Sequence, residues 1–278
     1  MGFDRPMTSV QGQSTRRLWL CADDFALNQP VSEAIITLLG NGCLSVTSCM
    51  TDSPRWNEDG ARLRDAGLGH RAGLHFNLTE SFDGYAAQPL GTVMRQALMR
   101  SLDRHSLQQS IDRQLDKYEA VMGRAPAFID GHQHVHLFPV VRDLLLDAAA
   151  KRYANRPWLR NLAPMVQPRP FAKALALQLM GAGQYGSQIA STGWPHNAAF
   201  GGLYGLTPNE DFPALMRGWL ENLPQGGLIM CHPAVSAQAD DVIGPARAAE
   251  FAWLMSDAWP NLLRATDVML DTEGETPA

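Results

Sequence analysis

Short apolar runs recur along this chain, and four of them end in a polar cluster. Arg17-Leu18-Trp19-Leu20-Cys21-Ala22 runs into Asp23-Asp24, and Ala72-Gly73-Leu74 into His75. Ala127-Phe128-Ile129 runs into Asp130-Gly131-His132-Gln133-His134-Val135-His136, and Leu228-Ile229-Met230 into Cys231-His232-Pro233. Runs this short and this continuously apolar predict strands covered on both faces. Helix-like segments alternate with them. Asn28-Gln29-Pro30 opens one from Val31 to Leu39, which Gly40-Asn41-Gly42 stops. Others run from Asn57 to Ala66, from Leu107 to Met122 with i,i+3 and i,i+4 spacing, and from Pro139 to about Ala154. Leu44 to Met50, rich in β-branched residues, reads as a further strand. The alternation predicts βα units, hence an α/β parallel sheet or barrel with its chemistry at the carboxyl ends of the strands.

Residues 157–206 break this rhythm, mixing glycine, proline, aromatic and amide residues in Gly183-Gln184-Tyr185-Gly186 and Gly193-Trp194-Pro195-His196-Asn197. An irregular substrate loop is expected there. Residues 1–15 are polar and are expected to be a disordered tail, with 16–278 a single domain.

Composition narrows the partners. A chain of 278 residues, 45% hydrophobic and 18% charged, is long enough for one large α/β domain. A formal net charge of -5 gives no electrostatic reason to expect nucleic acid or an anionic membrane. No run approaches the roughly 18 apolar residues of a membrane span, and residues 1–15 lack the apolar core of a signal peptide. The four cysteines, Cys21, Cys43, Cys49 and Cys231, form no C-x-x-C pair, so a reducing, cytoplasmic setting is expected. An apolar helical stretch, Phe251 to Met255, could serve a homodimer.

The polar clusters suit a metal centre. One carboxylate and two neutral imidazoles holding a divalent ion, with positions open to water, is a common catalytic arrangement. Asp24, His75 and His132 could supply it, and the neighbouring carboxylate could take a proton from the bound water. Because adjacent side chains on a strand point opposite ways, the Asp23-Asp24 pair must lie where the strand bends. His132, His134 and His136 alternate, and in extended backbone would share one face. Asp130 could orient a ligating imidazole through its second nitrogen. Asn77 stands beside His75. His232 is placed to act as a general acid.

Taken together, Ala22-Asp23-Asp24-Phe25, Gly73-Leu74-His75-Phe76-Asn77-Leu78, the Asp130 to His136 run and Met230-Cys231-His232-Pro233 resemble the YdjC-like carbohydrate deacetylases. The likeness runs from about Arg17 to Thr272. It implies a (β/α) barrel-like, TIM-barrel-related fold, one divalent metal ion (Zn or Mg, with Mn, Co or Ni as alternatives) and removal of acetyl from an N-acetylated amino sugar, on an oligosaccharide or glycolipid. By position it implies Asp24, His75 and His132 as metal ligands, Asp23 as general base and His232 as the acid that protonates the leaving amine. Ala26 departs from the family's usual glycine, a change tolerated if the position needs no positive φ. Gln133 stands where a third imidazole is common. Trp194, Tyr185 and Phe200 could stack on sugar rings. Two other classes compete, a metal phosphoesterase and a non-catalytic carbohydrate-binding protein; an iron oxygenase is more distant, since no His-x-Asp or His-x-Glu pair occurs.

Overall fold

The structure, a computed structural model, describes residues 15–277 apart from 86, 167–171 and 208. The expected tail therefore lies almost wholly outside the described residues. Eight strands and ten α-helices follow in order: β1 (Arg16–Phe25), α1 (Gln29–Gly40), β2 (Val46–Cys49), α2 (Trp56–Asp65), β3 (Ala72–Phe76), α3 (Leu90–Leu98), α4 (Arg104–Met122), β4 (Phe128–Gly131), α5 (Val141–Arg152) and β5 (Trp158–Leu159). Then come α6 (Ala172–Leu179), α7 (Ala182–Ser191), β6 (Phe200–Gly201), α8 (Phe212–Asn222), β7 (Leu228–Cys231), α9 (Gly244–Leu254), α10 (Ala258–Ala265) and β8 (Val268–Leu270).

Every strand pair is parallel, in the order β5-β4-β3-β2-β1-β7-β6, with β8 against the start of β1. The sheet curls into a TIM-barrel-like α/β fold. Its two edge strands approach each other through irregular pairing, Leu159 with His196 and Met165 with Phe200. Residues 157–206 therefore hold short strands and two helices, α6 and α7, where a loop was expected. In α7 the helical signal was masked by Gly183 and Gly186, residues that weaken a helix pattern.

Local chemistry accounts for the elements that carry the site. Leu18, Leu20, Cys21 and Ala22 are fully buried because β1 lies in the middle of the curled sheet, between β2 and β7. The Asn28 side chain accepts from the Val31 amide at 3.0 Å and caps α1, leaving Pro30 in the first turn where no donor is lost. In α4, Leu107, Ile111, Leu115, Tyr118 and Met122 form one buried stripe, and Gly123 ends the helix at φ 67°. Phe128 stacks on Trp158 with ring centroids 4.2 Å apart. Position 73 must stay glycine beside this pair, since a Cβ there would fall 2.6 Å from the Phe128 ring. In the stretch considered for a dimer, Phe251 and Trp253 pack against the core and Met255 is exposed. No helix among the described residues is long and apolar enough to cross a membrane.

Candidate active site

Because β4, β3, β2, β1 and β7 lie side by side and parallel, their carboxyl ends bring five separate segments to one face of the sheet. The pairing of β1 with β2 slips between Ala22 and Phe25, and Asp24 takes φ 69° at that slip. The irregularity lets both neighbouring aspartates face the site. Ala26 follows at φ 71°, so the position does require positive φ and alanine occupies it under strain. Its amide is held by the Ser32 hydroxyl at 3.1 Å, and its carbonyl by Ser53 at 2.5 Å.

The histidine run is not extended. Residues 132–137 form a tight turn in which Gln133 and His134 have φ 51° and 62°, so the alternation does not place three imidazoles on one face. The turn folds back over Gly131, where a Cβ would meet the His136 backbone nitrogen at 2.9 Å. His132 goes to the site. His134 is buried edge-on against Phe200, and His136 lies edge-on to Tyr185 with Nε2 3.2 Å from the Arg160 carbonyl. Burial lowers both imidazoles, His136 to about 4, and keeps them neutral.

Three donors converge: atoms of Asp24, His75 and His132 lie within 4.8 Å of one another. His132 Nδ1 is 2.9 Å and His75 Nε2 3.3 Å from the same Asp24 oxygen, Oδ1. His75 Nδ1 donates to Asp130 Oδ1 at 2.6 Å, which fixes its tautomer and turns Nε2 toward Asp24. In this position Nε2 faces Asp24 Oδ1, and a cation bound there would take the place of the imidazole's second proton. Burial works against charge on His75, yet Asp130, Asp24 and Asp23 outweigh it and push the imidazole up to about 10. The donor set fits a divalent ion taken by oxygen and nitrogen.

Arginines organise the remaining carboxylates. Arg160, fully buried, reaches both oxygens of Asp23 at 2.7 and 2.5 Å and Asp130 Oδ2 at 2.6 Å. Its guanidinium also answers a second group of potential ligands, Cys21, Asp23 and Asp130, by filling their need for a cation. Burial would raise Asp23, but the Arg160 charge holds it well below the usual carboxylate range. Arg247, on α9, donates to Asp24 Oδ2 at 2.7 Å and to Asp241 Oδ2 at 2.7 Å. Asp24 is likewise held low, Arg247 and His132 outweighing its burial. Three buried carboxylates, Asp23, Asp24 and Asp130, thus face two buried guanidiniums and the His75 imidazole.

His232 sits at the end of β7 with Nε2 4.0 Å from Asp23 Oδ2, and burial lowers it to about 4. Its backbone amide donates to Glu250 Oε2 at 2.5 Å, and the Tyr204 hydroxyl donates to the same carboxyl. Burial pushes Glu250 up to about 7. Glu80 faces the centre from above, Oε2 4.0 Å from His132 Nε2. A cavity of about 570 Å³ opens over His132, lined by Glu80, Phe82, Asp241 and Arg247 among others.

Asn77 does not join the centre. Its carbonyl and amide are locked to Gln114, and its side chain caps the turn to Glu80. Trp194 is buried with Arg156 stacked over its ring, and Tyr185 and Phe200 are core residues; none lines that cavity. Arg160, Arg247, Glu250 and Glu80 were not anticipated. Arg160 follows the apolar pair Trp158-Leu159 as Asp23 follows β1's run, but a pair is too short to signal a strand. Arg247 and Glu250 gave no signal, because charges on a helix are ordinarily solvated.

A family model described as YdjC-like protein matches residues 17–265. The chain is 31% identical over 228 residues to a chitooligosaccharide deacetylase of Yersinia pestis (strain Pestoides F), spanning 77% of this chain and 79% of that relative. The chitooligosaccharide deacetylase of Yersinia pseudotuberculosis serotype O:1b (strain IP 31758) matches to the same extent. Among solved structures, a protein of Enterococcus faecalis V583 named for cellobiose-phosphate cleavage superposes with a TM-score of 0.69 at 19% identity, covering 94% of this chain and 98% of that one. That likeness concerns the fold.

Proposed function

The chain belongs to the YdjC-like protein family, and from that premise we propose that it is a metal-dependent carbohydrate N-deacetylase, releasing acetate from an N-acetylated amino sugar. The observation that carries the reading is the Asp24, His75 and His132 group faced by a separate carboxylate and imidazole, Asp23 and His232. The name of the relatives supports the choice of substrate.

Asp24, His75 and His132 would hold the ion. A divalent ion in that position supplies an activated water and polarises an amide carbonyl. The protein's own residues do the proton work. Asp23 is ionised and fixed by Arg160, so a free carboxylate orbital is always presented to a proton donor in the site. His232 is neutral in the free protein, because burial holds it near 4. The proton it gives to the departing nitrogen is therefore one gained during turnover. Asp23 Oδ2, 4.0 Å away, is the nearest carboxylate to supply it. The water proton thus ends on the amine, the hydroxyl on the acyl carbon, and both side chains return to their starting states.

The test is acetate release from N-acetylated sugars by protein stripped with chelator and reloaded with single metals, with phosphoesters as controls. Metal-dependent acetate release supports the deacetylase. Phosphate release without acetate would replace it with a phosphoesterase, and sugar affinity without turnover with a binding protein.

A further inference from the structure

Each imidazole of the centre turns one nitrogen to Asp24 Oδ1 and the other away, and the two do so with opposite atoms: His75 presents Nε2 and His132 presents Nδ1. The outer nitrogen decides what the inner one can do, because a proton held on the outer atom leaves a lone pair on the inner. For His75 this is settled in the core. Its Nδ1 lies 2.6 Å from Asp130 Oδ1 and 3.0 Å from the Ser48 hydroxyl, and both partners are fully buried. For His132 the outer atom is Nε2, and the carboxylate facing it, 4.0 Å away, belongs to Glu80.

The proton path through Asp23 and His232 does not touch Glu80, yet the chain fixes its place closely. Gln114, fully buried on α4, exchanges two hydrogen bonds with the Asn77 backbone at 2.9 and 2.8 Å. The Asn77 side chain accepts from the Thr79 and Glu80 amides at 3.0 and 2.9 Å and donates to the Glu80 carbonyl at 2.7 Å. The Glu80 backbone is thus clamped at both its amide and its carbonyl, four residues beyond the end of β3, the strand that carries His75. Its side chain keeps its freedom, being 42% exposed where that of Asp130 is 0% exposed. The 4.0 Å gap to His132 is about 1 Å longer than a hydrogen bond, and a rotation within the Glu80 side chain closes it without moving the loop. The other acids of the same cavity are placed differently. Asp241 is taken by Arg247 at 2.7 Å, and Asp240 is exposed at the rim.

We propose that Glu80 is a positioning residue of the metal centre: its carboxylate accepts the Nε2 proton of His132 and so holds that imidazole in the tautomer whose Nδ1 lone pair faces the ion, as Asp130 does for His75 from within the core. The proposal rests on Asp24, His75 and His132 as ligands and deepens that reading. The test titrates chelator-stripped, full-length protein with Zn²⁺ against a competing fluorescent chelator. Glu80→Ala should bind Zn²⁺ about 10–100-fold more weakly. Glu80→Gln, whose amide oxygen still accepts from Nε2, should recover most of that loss, which marks the effect as a hydrogen bond and not a charge. Asp240→Asn removes one negative charge from the same cavity away from any imidazole, and should shift the affinity by less than about threefold, because an exposed charge is screened. Glu80 is partly exposed, so these substitutions leave the core intact, and thermal unfolding checks that they do.

Unchanged affinity in Glu80→Ala overturns the proposal. So does a Glu80→Gln protein as weak as Glu80→Ala, or a loss in Asp240→Asn as large as theirs. Unsubstituted protein that binds no Zn²⁺ overturns the ligand assignment together with the role of Glu80, whereas tight binding that ignores Glu80 overturns that role alone. Acetate release has no part in this readout, so failure of the deacetylase reading is scored independently.

Discussion

Arg160 grips both oxygens of Asp23, at 2.7 and 2.5 Å, from a point with no exposure to solvent. A buried charge is costly to leave alone. Arg160→Ala strands Asp23 and Asp130 together and should destabilise the protein by about 3–5 kcal/mol. Arg160→Lys restores one charge without the planar fork, and should recover much of the stability while turnover stays low, because Asp23 loses its orientation. Urea unfolding measured beside acetate release separates the two; parallel recovery of both would make Arg160 a purely structural residue.

Removing the proton acceptor and removing a ligand should look different. Asp23→Asn is expected to lower turnover by about 10²- to 10⁴-fold with metal content nearly intact. His75→Ala should lose the metal as well. Elemental analysis after dialysis, read with the rate, makes the distinction, and a fully active Asp23→Asn protein would remove that residue from the chemistry.

Arg247 occupies Asp24 Oδ2 and leaves Oδ1 to face both imidazoles. Arg247→Ala frees the carboxylate to rotate, and metal affinity should fall by about 10–100-fold. Competition with a fluorescent chelator reports this directly; unchanged affinity would show that the helix α9 contact is dispensable to the centre.

Ala26 sits at φ 71°, in the left-handed region that costs an L-residue roughly 1–2 kcal/mol. Glycine relieves that strain but brings extra freedom to the unfolded chain. The balance for Ala26→Gly is a gain of about 0.5–1 kcal/mol, visible as a rise of roughly 1–3 °C in Tm. A fall in Tm would mean that the methyl group packs too well in the core to be given up.

Acid should unfold the protein partly through the histidine turn. Burial holds His136 near 4, against 6.5 for an ordinary imidazole. Between those values the unfolded chain binds a proton that the folded one refuses, so stability is lost as pH falls from 6.5 toward 4 and is unaffected above 6.5. The limit is about 3 kcal/mol for this side chain. His136→Gln should be less stable at pH 7.5 yet lose less between pH 6.5 and 4.5, and urea midpoints across that range compare the slopes.

Much of this was readable because strand ends in a parallel fold impose their own order. The runs before Asp23, His75, Asp130 and His232 announce β1, β3, β4 and β7, and parallel pairing then gathers those residues on one face. The histidine run misled for a local reason: a period of two signals a shared face only in extended backbone, and Gly131 together with two positive φ values turns the chain instead. Arg160 escaped because β5 is two residues long, too short to register as a strand. Arg247 and Glu250 depend on where α9 lies over the strand ends, a tertiary fact that no local pattern encodes.

The partners of β1 have a kinetic consequence. It pairs with β2 about one helix away in sequence, but also with β7, and its first residues Arg16 to Leu18 pair with Val268 to Leu270. Contacts of such long sequence separation are slow to form, because the loop they close must be ordered before they repay it. The strand bearing Asp23 and Asp24 is held on both flanks only when the distant β7 has docked. Recovery of metal binding during refolding should then follow the slowest step of assembly, well behind the return of helical signal.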